Sequence, residues 1–403
     1  MTVNVVFVGH IDHGKSTLIG RLLYDSESIK DERMTEILRL AEVYKRRFEF
    51  AYFLDSFEDE LKEERTIDTV SLIFKSKKNY YTITDVPGHK EFIKNMLTGA
   101  SHADVAVLVV SVAEGVQEQT RRHMFLLKML GIQQVFVVVN KMDTVKYEKE
   151  RFEEVKGETE AVLRSFEYRT ETYIPISAIE GDNVYRKSKA MDWYTGPTLI
   201  ETLDGINLSR EERPLRFVVQ DSYMVESEKI LVGRVESGVL RRGDNLLFAP
   251  SGINGLVERI MVCGRDLEEA MTGDSIGLLL TNNGAVSRGN VGGLVSNPPR
   301  TKTQFLGEAV LLDKRLKKAE SLELRCGTAR VRCTIKELRE KINSETGESI
   351  EKYPEEIKEH DAATISLETE PLVIENFVDF PELGRFILIK ERKNIGAGVV
   401  LSA

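Results

Sequence analysis

Residues 9–16 read Gly9-His10-Ile11-Asp12-His13-Gly14-Lys15-Ser16, a G-x-x-x-x-G-K-S pattern with Thr17 directly behind it. Residue types in that order suit one kind of chemistry, the holding of a polyphosphate. Glycine carries no Cβ, so backbone N–H groups at Gly9 and Gly14 can crowd an anion. Lys15 adds a point charge for the β and γ oxygens, and the Ser16 hydroxyl suits a Mg²⁺ that bridges them. His10, His13 and Thr17 belong to the same loop and its helix junction. Asp12 is the odd member: a carboxylate in a phosphate loop is either offset by a monovalent cation or faces away.

Two further segments supply what the loop lacks. The strand-like run Tyr80–Thr84 ends in Asp85-Val86-Pro87-Gly88-His89. Asp85 can hold the Mg²⁺ through water, Gly88 can bring an N–H close to a γ-phosphate, and a neutral His89 can orient an attacking water. The run Val135–Val139 ends in Asn140-Lys141-Met142-Asp143. A carboxylate at Asp143 accepts from both the ring N1–H and the 2-amino group of guanine. Adenine has neither donor, and a buried carboxylate left without donors is penalised, so the pocket selects guanine. Ser177 and Ala178, after the next strand, complete the base pocket. These residues together predict a site for GTP or GDP with Mg²⁺.

Elements must deliver those residues to one place. Val3–Val8, Ser71–Phe74, Tyr80–Thr84, Val105–Val112, Val135–Val139 and Tyr173–Ile176 read as strands, with charged periodic stretches such as Glu118–Leu130 and Lys149–Arg164 between them. Such alternation predicts an α/β P-loop domain on a mostly parallel sheet, over residues 1–206, with ligands at the carboxyl ends of the strands. Every motif above falls at such an end. Past Arg213-Pro214 the pattern changes to short Val- and Leu-rich runs split by turns such as Ser237-Gly238, Arg242-Gly243-Asp244 and Thr272-Gly273-Asp274. That pattern predicts a β-barrel or sandwich. Pro298-Pro299 marks a second break, so we expect β domains at 207–298 and 299–403. The charged segment Lys336–Asp361 interrupts the last one and reads as a solvated hairpin.

The 403 residues carry a net charge of -9, which disfavours a nucleic-acid partner without excluding one, since a basic patch can sit on an acidic protein. Cys263, Cys326 and Cys333 are too few and too scattered for a disulfide framework or a zinc site, and we expect them reduced and buried. The longest apolar run, Val105–Val112, is too short to span a bilayer, so no membrane role is expected. Met1 runs into a strand and leaves no room for a signal peptide; the expected location is cytoplasmic.

The ordered set G-H-I-D-H-G-K-S, D-V-P-G-H-K-E-F-I-K-N-M, N-K-M-D and P-I-S-A-I-E-G-D-N-V resembles the translation-factor class of GTPases over the whole chain. The likeness is to the branch that holds elongation factor 1-alpha and the GTPase subunit of heterodimeric sulfate adenylyltransferase. Trp193–Leu199 and Pro381–Phe386 share it. The resemblance implies a nucleotide domain followed by two β-barrels. It implies GTP hydrolysis, with Lys15, Thr66 and His89 as the catalytic set and Ser16, Thr66 and Asp85 around Mg²⁺. The first switch departs from the family: where relatives have R-G-I-T-I-D, this chain has Glu63-Glu64-Arg65-Thr66-Ile67-Asp68. Arg65 either reaches the γ-phosphate as an arginine finger or is a solvated arginine in a charged loop. Within the branch, the compact link Val112–Val116 and the run Phe48–Asp55 favour the sulfate adenylyltransferase subunit, with an ATP-using catalytic subunit as partner. The alternative is an elongation factor with aminoacyl-tRNA and the ribosome as partners, which Gly289-Asn290-Val291 and Lys336–Asp361 resemble.

Overall fold

The computed structural model describes residues 2–28, 50, 71–84, 103–207, 213–226, 228–262, 264–282, 284–313 and 315–403. The chain divides into two compact units, 1–208 with 344–348, and 209–343 with 349–403.

The first unit is built on a six-stranded sheet of β1 (Thr2–Gly9), β2 (Ser71–Lys75), β3 (Tyr80–Thr84), β4 (Val105–Ser111), β5 (Gln134–Asn140) and β6 (Tyr173–Pro175). The spatial order is β2-β3-β1-β4-β5-β6. All pairings are parallel except β2 with β3, whose short turn forces a hairpin. β1 lies between β3 and β4, with Val5 facing Ile83 on one side and Val105 on the other. Chain order reverses about β1, and in open α/β sheets the crevice at such a reversal, at the carboxyl ends of the strands, is where ligands bind. β4 is buried along its whole length, which is why it reads as a continuous apolar run and not an alternating one.

Among the described residues four helices flank the sheet: α1 (Lys15–Asp25), α2 (Glu118–Met129), α3 (Lys149–Ser165) and α4 (Leu199–Asp204). α1 buries Leu18, Ile19, Leu22 and Leu23, and α3 buries Phe152, Val155, Thr159, Val162 and Leu163, both at the three-and-four spacing of a one-sided helix. α4 is capped by Thr198, whose hydroxyl accepts the Glu201 N–H at 3.3 Å while Glu201 accepts the Thr198 N–H at 2.9 Å.

The second unit holds two barrels. In the first, strands Asn245–Ala249, Val291–Leu294, Arg216–Val225, Glu228–Ser237, Ser275–Leu280 and Ile253–Val262 follow one another, and the last pairs back onto the first. In the second, Ser321–Cys326, Arg385–Lys390, Lys393–Ser402, Thr301–Leu311, Ala362–Val373 and Ala329–Ile342 close in the same way. Closure removes the strand edges that an open sheet would expose. Phe217, Leu231, Phe248 and Leu278 fill the first barrel, and Leu324, Ile335, Ile365 and Phe386 the second. The expected hairpin is present: Glu340 faces Lys352 across it. Its first arm is no free loop, because Leu338 and Ile342 turn into the core and continue a barrel strand. Cys326 and Cys333 are buried free thiols, and burial pushes both up to about 12. Cys263 lies outside the described residues.

The barrels meet through Val218, Ala249, Val291, Val373 and Leu383. Beside this apolar patch the guanidinium of Arg216 is buried. It donates to Glu375 Oε1 at 3.3 Å, to the Asn297 carbonyl at 3.1 Å and to the Leu215 carbonyl at 2.9 Å, and lies 5.0 Å from the Phe380 ring centre.

Candidate functional site

The crevice beside β1 gathers most of the residues the motifs nominate. β1 ends at Gly9, whose φ is 153° and whose missing Cβ would lie 2.2 Å from the Val109 carbonyl oxygen on β4. A backbone atom cannot move aside, so the turn out of β1 requires glycine. Asp12 adopts a left-handed conformation at φ 63°, and Gly14 another at φ 86° immediately before α1. The loop between β1 and α1 carries His10, Asp12 and His13. The first turn of α1 contains no acidic residue, so its N–H groups and positive dipole end have no internal carboxylate to compete with an anion. Ser16 and Thr17 lie in that turn. The Lys15 ammonium donates to the Gly9 carbonyl at 2.9 Å and the His10 carbonyl at 2.8 Å, which folds it back over the loop.

β5 delivers the other end. Asn140 is buried and acts as a strut: its Nδ2 donates to the His13 carbonyl at 2.9 Å, and its Oδ1 accepts the Ala178 N–H at 3.0 Å. A Cβ on Gly14 would lie 2.4 Å from that same Nδ2. One side chain thus links the phosphate loop, the end of β5 and the loop after β6. Lys141 takes a left-handed φ of 66°, which turns the chain into a short 3₁₀ segment, Met142–Val145. Asp143 is the second residue of that segment, and Ser177 donates its hydroxyl to Asp143 Oδ1 at 2.6 Å. This orients the carboxylate and leaves its second oxygen for donors outside the chain. Ser177 also accepts the Glu180 N–H at 3.2 Å.

His13 is buried, and burial lowers its pKa to about 4, so the ring is neutral. Nδ1 carries the proton, because its neighbour at 3.3 Å, the Val109 carbonyl, can only accept. Glu114 lies 3.7 Å from Nε2 and pulls the pKa up, but it is 41% exposed and too distant to offset the desolvation. That contact is therefore not an ion pair at neutral pH. Asp12 is exposed.

The geometry brings Gly9, His10, Asp12, His13, Gly14, Lys15, Ser16, Thr17, Asn140, Lys141, Asp143, Ser177 and Ala178 to one crevice. Thr66, Asp85, Gly88 and His89, together with Arg65 and Glu64, lie outside the described residues, as does the run Phe48–Asp55 apart from Phe50. The cradle has the form a diphosphate requires: glycines where a Cβ would collide, a helix N-terminus free of acids, and a lysine over the loop. Of the expected Mg²⁺ ligands only Ser16 is described, and it stands at the right end of α1.

Sequence reasoning missed the supports. Gln119 of α2 accepts the Ile11 N–H at 3.2 Å. Glu114 lies 3.8 Å from the Lys141 ammonium as well as near His13. Arg151 of α3 donates to the carbonyls of Val112 at 2.9 Å and Ala113 at 3.3 Å, pinning the segment that carries both. None of these follows a fixed spacing from the loop it supports.

A phosphate loop and a guanine-type carboxylate at one sheet crevice, followed by two barrels, define a P-loop nucleotide-binding protein of the GTPase type. The model of the elongation factor Tu GTP binding domain matches residues 1–209, and that of the GTP-eEF1A C-terminal domain-like family matches residues 304–401. Elongation factor 1-alpha of Archaeoglobus fulgidus is 42% identical over 410 residues, covering 99% of this chain and 97% of the relative. The Pyrococcus furiosus protein of the same name is 42% identical over 417 residues at the same coverage. That of Methanocaldococcus jannaschii is 41% identical, again over 99% and 97%. The chain belongs to the elongation factor 1-alpha family of translation-factor GTPases.

Proposed function

We propose that the chain is a GTP-hydrolysing elongation factor that carries aminoacyl-tRNA to the ribosome in the cytoplasm, with domains at 1–206, 207–298 and 299–403. The observation that carries this is the extent of the likeness. Relatives named elongation factor 1-alpha align along 99% of the chain, so the barrels are matched as well as the nucleotide domain. Among the described residues no helix is long and apolar enough to cross a membrane.

In this reading Asp143 accepts the guanine N1–H and 2-amino donors while Ser177 holds it in register. The N–H groups around Gly14 and the first turn of α1 take the β-phosphate. Lys15 spans to the γ oxygens, and His89 orients the water that attacks the terminal phosphorus. Ser16, Thr66 and Asp85 would hold Mg²⁺, which would supply positive charge to offset that of the polyphosphate. Arg65 departs from the family pattern, so its contribution is tested by Arg65→Ala: unchanged basal and partner-stimulated GTP turnover rules out a finger role.

A second reading keeps the same nucleotide chemistry and exchanges the partner for the catalytic subunit of sulfate adenylyltransferase, with GTP hydrolysis driving adenylyl sulfate formation. What favours it is the short link between β4, which ends at Ser111, and α2, which begins at Glu118. One experiment separates the two. Protection of the aminoacyl ester of aminoacyl-tRNA by the GTP-bound chain supports the first. Absence of protection, with GTP turnover stimulated by ATP, sulfate and a sulfurylase catalytic subunit, overturns it in favour of the second.

A further inference from the structure

We infer that Gln119 is a positioning residue for nucleotide binding, acting through a single peptide unit on Lys15. The inference rests on the guanine-nucleotide reading of the crevice and is independent of which partner the chain serves.

The peptide between His10 and Ile11 is gripped on both faces. Its N–H, on Ile11, donates to Gln119 Oε1 at 3.2 Å. Its C=O, on His10, accepts the Lys15 ammonium at 2.8 Å and the His13 N–H at 3.3 Å. A peptide is planar, so fixing the N–H direction fixes the carbonyl direction too. If the plane rotates, Lys15 loses one of the two carbonyls that aim it.

The loop has reason to need such a grip. Asp12, the next residue after this peptide, is a non-glycine in the left-handed region, a conformation that persists only where its surroundings over-determine it. Asn140 holds the far side through the His13 carbonyl, and the Val109 carbonyl holds the His13 ring. The near side, at Ile11, is held by Gln119. Its own position is stiff: it is the second residue of α2, and the Gln117 N–H before it donates to Thr120 Oγ1 at 3.3 Å. Ile11 itself is 55% exposed, so packing of its side chain does little to fix the loop.

A glutamine oxygen is suited to this task because it accepts strongly without bringing negative charge toward a polyphosphate. A carboxylate there would bond the N–H more strongly yet repel the ligand. The two substitutions therefore separate the bond from the charge.

The test is release of a fluorescent GDP analogue from the full chain, measured for Gln119→Leu and Gln119→Glu, together with the ³¹P resonance of the β-phosphorus of bound GDP. Loss of the acceptor in Gln119→Leu is expected to speed release about tenfold, the value of one hydrogen bond of roughly 1.4 kcal/mol. It should also shift the β-phosphorus signal, because the ammonium beside it is re-aimed. Gln119→Glu keeps an acceptor and should retain the parent β-phosphorus position. Release within twofold of the parent in Gln119→Leu overturns the inference. So does faster release with an unmoved β-phosphorus signal, or equal behaviour of the two variants. If Gln119→Leu fails to fold, an unshifted signal in Gln119→Ser, which is too short to reach Ile11, overturns it equally. A parent chain that binds no GDP at all would refute the nucleotide reading itself, which the variants cannot mimic.

Discussion

In the proposed reading, the two ends of the nucleotide crevice are made of different material. The phosphate end is backbone: Gly9 and Gly14 hold conformations a side chain would break, Asp12 is left-handed, and Lys15 is aimed by carbonyls. The base end is side chain: Asp143 steadied by Ser177, and Asn140 joining both ends. Backbone N–H groups are the same for every nucleotide, so the phosphate end gives affinity without discrimination. A carboxylate whose donors exist on only one base gives discrimination with modest affinity. Substitutions should therefore fail in different ways at the two ends.

The largest effect is expected at Gly14. In Gly14→Val a β-branched residue at φ 86° combines backbone strain with collision against Asn140, together about 3–4 kcal/mol. Isothermal titration should show GTP and GDP binding weakened more than a hundredfold, and thermal melting should show a less stable fold. Retention of nucleotide binding would break the comparison at its phosphate end.

Asp143→Asn should cost about 2–3 kcal/mol of guanine affinity by leaving donors facing donors. Its melting temperature should hold, since the carboxylate's known partner in the chain is one hydroxyl. Competition between GTP and ATP analogues measures it: the preference for guanine should collapse while phosphate-dependent binding persists.

pH gives a third handle, confined to the phosphate end. His13 has its pKa lowered to about 4 in the folded chain from an ordinary 6.5. Between those values the unfolded chain binds more protons, so stability rises with pH through the window and is lost as pH falls from 6.5 toward 4. At about 1.4 kcal/mol per pH unit the loss approaches roughly 3 kcal/mol. Denaturant titrations across that range should be flatter for His13→Gln than for the parent.

The smallest effect belongs to Ser177→Ala. It removes the 2.6 Å bond that orients Asp143 but leaves the carboxylate itself, a change of about 1 kcal/mol, or some fivefold in guanine affinity. A much larger loss would mean that the base end depends on pre-orientation as heavily as the phosphate end does.

The residues legible in the sequence divide along the same line. The strands of the sheet were legible because buried parallel strands appear as apolar runs, as in Val105–Val110. The barrels were legible because turns such as Arg242-Gly243-Asp244 punctuate short strands. Lys15, Asn140 and Asp143 follow strand-like runs at fixed spacings, and the structure gathers them at one crevice. Gln119 and Glu114 were not. They reach the loop across the sheet, from residues more than ninety positions away in the chain, and nothing local requires a glutamine at the second position of α2. The antiparallel turn of β2 onto β3 was absorbed into a mostly parallel expectation, since alternating apolar residues do not encode the direction of pairing. The segment Lys336–Asp361 reads as an interruption because its charges dominate the composition. Strand alternation nevertheless places Leu338 and Ile342 inward, so its first arm belongs to the barrel.

Arg216 has a mechanical consequence. All three of its guanidinium nitrogens are engaged, by Glu375, Asn297 and the Leu215 carbonyl, at the seam where the barrels meet. Swivelling one barrel against the other would strand a cation already stripped of water, a penalty of several kcal/mol. A load applied to either barrel would then be borne by both, in the way a tool follows whichever part of its handle is turned.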